Sequence, residues 1–189
     1  MMNRLPDILN APILIVDDRE ANVSLLAQIL SEEGYTSVAT STDSQEVCAL
    51  HLKNRYDLIL LDLQMPGMDG FEVMESLKAN AADDYLPVIV LTAQPAHKLR
   101  ALKAGARDFI SKPFELVEVT TRIHNMLEVR LLYRRLENYN EVLDQAVRDR
   151  TAELRESEAH YRTLADLTSD WHWEKDAAGK FTKVSGPVL

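Results

Sequence analysis

The sequence predicts an α/β fold: a doubly wound parallel sheet of five strands, whose last helix extends into a long coiled coil. Three observations carry this expectation. Four short runs built around apolar residues, with a weaker fifth, are separated by stretches of helical spacing. Strand and helix alternate five times, as in doubly wound sheets. Beyond Phe114 the Pro and Gly punctuation stops, as a continuous helix requires.

The elements follow in order. "PILIVDD" (12–18) is the first strand. Its unbroken Ile, Leu and Val suit a strand covered on both faces, because a half-wet strand would alternate. "REANVSLLAQILSEEG" (19–34) has helical spacing and ends in Gly34, placed for a C-cap. "TSVAT" (36–40) is the weak strand, and "DSQEVCALHLKN" (43–54) is the second helix, with Cys48 as a small apolar side chain inside it. "DLILLD" (57–62) leads into the turn-rich "QMPGMDG" and a helix over 70–80. "LPVIVLTA" (86–93), a helix over 96–106 capped by Gly105, and "RDFISKP" (107–113) complete the alternation.

From Glu115 to about Leu167 there is neither Pro nor Gly, and one stripe carries Val129, Leu132, Leu136, Tyr139, Leu143, Val147, Leu154, Tyr161 and Leu164. Steps of three and four match a coiled-coil seam, so one rod of ~75 Å is expected at 1.5 Å per residue. Two successive steps of four, Tyr139 to Leu143 to Val147, form a stutter, and Arg150 and Ser157 fall on the seam and weaken it. A parallel homodimer through this helix is the expected assembly. In the tail, "WHWEKD" and "KFTKVS" flank "AAGK", a hairpin pattern with Gly179 at the left-handed position.

Composition bounds the function. At 189 residues, 46% hydrophobic and 27% charged, the chain holds one full domain and part of another. A net charge of -9 argues against a nucleic-acid surface in this piece. No run reaches the ~18 apolar residues of a membrane span, the N-terminus lacks a signal-peptide core, and a single Cys excludes an internal disulfide. A cytoplasmic location is the expectation.

The apolar runs end in reactive groups: Asp17 and Asp18, Asp62, Thr92 and Lys112. In a parallel sheet the strand C-termini share one edge, and ligands bind beyond it, so these side chains converge there. Three carboxylates together repel, and Lys112 plus a hard divalent cation, Mg2+, would offset them. Asp62, followed by the open turn-rich loop, is then the candidate nucleophile toward a phosphoryl group.

At these residues the chain resembles a known family, the receiver (CheY-like) domain of two-component response regulators. The resemblance rests on Asp17–Asp18 after "ILIV", "LLDLQMPGMDG" around Asp62, "VLTA" with Thr92, and "GARDFISKPF" with Lys112, over roughly residues 10 to 128. It implies a flavodoxin-like fold with strand order 2-1-3-4-5, and phosphoryl transfer to Asp62 from a sensor histidine kinase or phosphotransfer protein. It further implies Mg2+ held by Asp18, Asp62 and the backbone carbonyl of Gln64, with Asp17 acting through water. Lys112 would pair with the phosphoryl oxygens across a cis bond to Pro113. Thr92 and Phe109 would serve as the switch pair.

The implied domains are a receiver over 1–128, a coiled-coil signalling helix over 129–167, and the truncated start of a PAS-like domain over 168–189. Trp171 and Trp173 would belong to that domain's core. That order resembles proteins ending in cyclic-dinucleotide synthesis or breakdown domains, and some kinases. The piece itself is then no enzyme beyond its own phosphotransfer and autodephosphorylation.

Three rival readings are weaker. A haloacid-dehalogenase-like phosphatase needs a general acid two residues past its nucleophile, where Gln64 stands. A hybrid histidine kinase needs a phosphorylatable His, but "HYRTL" at His160 lacks the neighbouring acid and Pro of such a box, and His124 in "RIHNML" reads as helix surface. A dimeric scaffold whose acidic pocket serves only for protein docking is the runner-up, and Mg2+-dependent incorporation of phosphate that is absent in Asp62→Asn separates the two.

Overall fold

The computed structural model describes residues 8–79, 85–167 and 172–185. Five strands form one sheet: β1 (Ile13–Val16), β2 (Val38–Ser41), β3 (Leu58–Asp62), β4 (Val88–Thr92) and β5 (Asp108–Ser111). All pairs are parallel, in the order β2-β1-β3-β4-β5. The helices are α1 (Glu20–Glu32), α2 (Val47–Asn54), α3 (Gly70–Ala79), α4 (Pro95–Ala104) and α5 (Leu116–Leu167). This is the flavodoxin-like doubly wound architecture.

The central strands are buried along their length because both faces of the sheet are covered. Alternate residues divide between two cores. Ile13, Ile15, Leu58, Leu60, Ile89 and Leu91 pack with Leu26 and Leu30 of α1 and with Val119, Ile123 and Leu127 of α5. Leu14, Val16, Ile59, Leu61 and Val90 face the other way, toward Val47 of α2, Phe71 and Met74 of α3 and Ala101 of α4. Each such side chain taken fully out of water contributes about 1.5–3 kcal/mol, which is why unbroken apolar runs become central strands here.

Several element ends differ from the sequence expectation. The second helical stretch starts as a 3-10 turn, Ser44–Glu46, capped by Asp43, whose side chain accepts from the backbone N–H of Gln45 at 2.8 Å. That helix closes on Arg55 in the left-handed region, φ 53°, without a glycine. Asp17, Asp18 and Lys112 lie just past their strands, because pairing ends at Val16 and Ser111. Gly34 and Gly105 follow α1 and α4 with φ of 90° and 109°.

The chain divides into two compact units, Met1–Leu136 and Glu137–Leu189. The first extends past residue 128 because α5 stays against the sheet through Leu131, which is 6% exposed. The second contains the rest of α5 and a hairpin of β6 (His172–Lys175) and β7 (Phe181–Ser185), paired antiparallel. Its turn is closed by Asp176, whose carboxylate accepts the N–H groups of Ala178 and Lys180, both at 2.9 Å, with Gly179 at φ 79°. Trp173 is exposed; Trp171 lies outside the described residues.

Candidate functional site

Strand register assembles the site. Val16 lies beside Leu61, so Asp17 and Asp62 emerge from adjacent strands at one sheet edge. This is the crevice where the chain order turns back between β1 and β3, the place where open parallel sheets bind ligands. The carboxylates of Asp17, Asp18 and Asp62 have oxygens within 4.8 Å of one another. Asp17 and Asp62 are buried, at 0% and 4% exposure, while Asp18 is exposed.

Lys112, arriving from the end of β5, bridges the two buried acids: its Nζ lies 2.7 Å from Asp17 Oδ2 and 3.0 Å from Asp62 Oδ2. The Lys112–Pro113 bond that delivers it is cis. Burial pushes the Asp62 carboxyl above its usual value. The hydrogen bond and charge of Lys112 oppose that rise, the neighbouring Asp17 adds to it, and the Gln64 backbone N–H, hydrogen-bonded to the carboxylate, lowers it. Three acids against one ammonium leave local negative charge uncompensated. An all-oxygen donor set of this kind fits a hard divalent cation such as Mg2+.

The loop after Asp62 is fixed from its far end. Asp69 caps α3, its Oδ1 accepting the N–H groups of Phe71 and Glu72 at 2.9 Å each, while Glu72 accepts the Asp69 N–H at 2.8 Å. This reciprocal capping box ties the loop to the helix. The Gly70 N–H donates to Leu63 O at 3.2 Å, and a Cβ at Gly70 would stand 2.4 Å from the backbone oxygen of Asp62. Only glycine lets α3 start this close to the strand end.

The segment that carries this geometry also matches known proteins. Residues 13–124 match the family described as the response regulator receiver domain.

The chain belongs to the response regulator receiver family.

The response regulator PleD of Caulobacter vibrioides is 38% identical over 126 residues, 66% of this chain and 28% of its own length. A probable cyclic di-GMP phosphodiesterase of Vibrio cholerae is 31% identical over 175 residues, 88% of this chain and 39% of that protein. Among solved structures, the chemotaxis response regulator CheY4 of Vibrio cholerae superposes with a TM-score of 0.58 at 28% identity, over 62% of this chain and 98% of that one. NtrX of Brucella abortus gives a TM-score of 0.62 at 29% identity, over 69% of this chain and 29% of its own. The chain thus spans well under two thirds of these curated relatives.

The remaining expected residues of the receiver domain fall at or near this edge. Thr92, 2% exposed, follows Leu91, the neighbour of Asp62 across β3 and β4. Its hydroxyl accepts the Gln94 N–H at 3.1 Å, closing the turn into α4. Gln64 is exposed beside Asp62. Phe109 is half-buried on β5, its ring between Lys98 Nζ at 4.5 Å and Arg122 Cζ at 5.2 Å.

Sequence reasoning did not single out these two cations. Lys98 also donates to Ser111 Oγ at 2.9 Å, and Arg122 grips both oxygens of Asp108 at 2.7 Å, so α4, β5 and α5 are stitched around the Phe109 ring. Asn22 was missed as well. Its carboxamide donates to both oxygens of Asp17, at 2.9 and 3.0 Å. A lone Asn in a helical stretch gives no pattern that distinguishes it from a solvated residue.

Proposed function

We propose that this receiver domain accepts a phosphoryl group on Asp62 from the phosphohistidine of a sensor histidine kinase or phosphotransfer protein. The Lys112 ammonium bridging Asp17 and Asp62 at 2.7 and 3.0 Å carries this reading. An Asp62 oxygen attacks phosphorus as the P–N bond of the donor breaks; the product is an aspartyl phosphate and the electron pair returns to the imidazole. Lys112 holds the pocket together beforehand, then turns its charge to the incoming phosphoryl oxygens. Asp18, Asp62 and the Gln64 carbonyl would hold Mg2+, with Asp17 acting through water, and the bound ion would neutralise charge developing on the transferring group.

After transfer, Thr92 exchanges its hydrogen bond with Gln94 for one to a phosphoryl oxygen, and the Phe109 ring moves between Lys98 and Arg122. The change at β5 passes to α5. Val129, Leu132, Leu136, Tyr139, Leu143 and Val147 are 47–63% exposed along one side of that helix, which supports pairing in a parallel homodimer. Beyond it we place the start of a PAS-like domain and an output that makes or breaks cyclic di-GMP. The match to a protein named as a phosphodiesterase acting on that nucleotide, running over 175 residues, supports this class of output. Among the described residues no helix is long and apolar enough to cross a membrane, and we place the protein with its kinase partner in the cytoplasm.

The test is incorporation of phosphate from acetyl phosphate, followed by intact-protein mass spectrometry. Labelling that requires Mg2+ and is lost in Asp62→Asn is the expected result. Labelling that persists in Asp62→Asn would refute the assignment, and wild-type protein left unlabelled would favour an unphosphorylated docking pocket.

A further inference from the structure

Asp17 is fully buried and its carboxylate is surrounded by donors. Oδ1 accepts the Arg19 backbone N–H at 3.0 Å and the Asn22 carboxamide at 2.9 Å; Oδ2 accepts the same Asn22 nitrogen at 3.0 Å and Lys112 Nζ at 2.7 Å. A carboxylate has about four lone-pair positions, and these four contacts occupy them. Asp18 and Asp62 differ: Asp18 is exposed, and Asp62, although buried, accepts from Lys112 and the Gln64 backbone N–H. Any cation reaching an Asp17 oxygen directly has to displace one of its donors.

The four contacts are not equivalent. The Arg19 N–H is fixed by the backbone, and Lys112 divides its charge between Asp17 and Asp62. Among the described residues Asn22 alone touches both Asp17 oxygens, from the start of α1, and so takes one lone-pair position on each. Without it, Oδ1 keeps only the Arg19 N–H.

We propose that Asn22 is a positioning residue that keeps Asp17 out of direct metal coordination and thereby sets the site's preference for Mg2+ over Ca2+. Mg2+ demands compact octahedral geometry, keeps several waters, and is held by one or two carboxylates; Ca2+ takes six to eight oxygens in flexible geometry. With Asp17 restrained, the site offers two carboxylates, Asp18 and Asp62. Without Asn22, each Asp17 oxygen keeps one donor, the Arg19 N–H or Lys112 Nζ, and gains an open lone-pair position, so the site offers a third carboxylate, which favours Ca2+. The inference rests on the divalent-cation reading given above.

The test is isothermal titration of the full chain with MgCl2 and, separately, CaCl2, for wild type, Asn22→Ala and Asn22→Leu, with circular dichroism to verify folding. Position 22 is half-exposed on a helix, where Ala is the best helix former and Leu nearly matches Asn in size. We expect both variants to shift the ratio of Ca2+ to Mg2+ affinity toward Ca2+ by about tenfold, the scale on which outer contacts tune a metal site. A shift under about threefold in either variant, with wild type binding Mg2+, overturns the role of Asn22 and leaves the phosphoacceptor reading standing. Wild type that binds neither ion overturns both.

Discussion

Gly70 and Asp62 are coupled through backbone atoms alone. A methyl group at position 70 would need to displace the Asp62 carbonyl, 2.4 Å from the ideal Cβ, or the Leu63 Cα, 2.9 Å away, and neither is a flexible chain end. Gly70→Ala is therefore expected to cost about 1–3 kcal/mol, read as a lower urea midpoint, and to slow labelling by acetyl phosphate. Wild-type kinetics in a destabilised Gly70→Ala would separate the loop from the chemistry. Burial above all, and Asp17 beside it, disfavour the charge on Asp62. Asp62→Asn should therefore melt higher than wild type in EDTA. About 1 kcal/mol corresponds to roughly 2–4 °C in a chain of this size. Added Mg2+ should then raise the wild-type melting temperature and move Asp62→Asn less, as scanning fluorimetry can measure.

The acids, Thr92 and Lys112 were legible because each ends a run whose burial the sequence encodes. Asn22, Lys98 and Arg122 were not, because their partners are set by three-dimensional proximity rather than by any period.

Among elements, the joint between β3 and α5 stands out. Asp57, 1% exposed, receives Arg130 Nε at 3.2 Å and both oxygens receive Arg134 NH1 at 2.8 Å. Arg130 is itself 4% exposed and donates to Tyr85 O at 2.6 Å. One helical turn lines up both arginines against the start of the strand, and Tyr133 adds a stacked contact to Tyr85 with centroids 4.7 Å apart. Removing Asp57 takes a buried carboxylate from the Arg130 guanidinium, and breaking a buried pair typically costs about 3–5 kcal/mol. Asp57→Ala should therefore lower the urea midpoint far more than Arg134→Ala, whose side chain is 49% exposed and can turn to water. Equal effects would mean that the buried pair is not what holds the helix. The sequence placed β3 and α5 correctly but read Asp57 only as the start of an apolar run. Its partners lie 73 and 77 residues away, a separation that no local pattern spans.

At the scale of the molecule, the exposed apolar stripe on α5 is where the proposed dimer can be tested. Leu143 is 60% exposed at the centre of the stripe, where in a dimer it would be covered on both sides. Leu143→Lys should convert a dimer to a monomer in sedimentation velocity without moving the urea midpoint of the sheet-bearing unit. A wild-type protein that sediments as a monomer at high concentration would rule out pairing through this seam. The extent of the long helix and the tail hairpin were readable from period, punctuation and a turn residue, whereas the strand order came from the family resemblance and from no local pattern. The two-step opening of the second helix was not, because Ser44 and Gln45 carry no apolar period to mark where one helical form gives way to another.

The unbroken α5, from Leu116 to Leu167, makes arithmetic matter. Each residue added to or cut from a helix turns everything after it by about 100° and moves it about 1.5 Å. Seven residues nearly restore the original facing, whereas two point it to the opposite side. Trimming this segment should therefore preserve or destroy communication according to the remainder after division by seven, and the total length lost should matter much less.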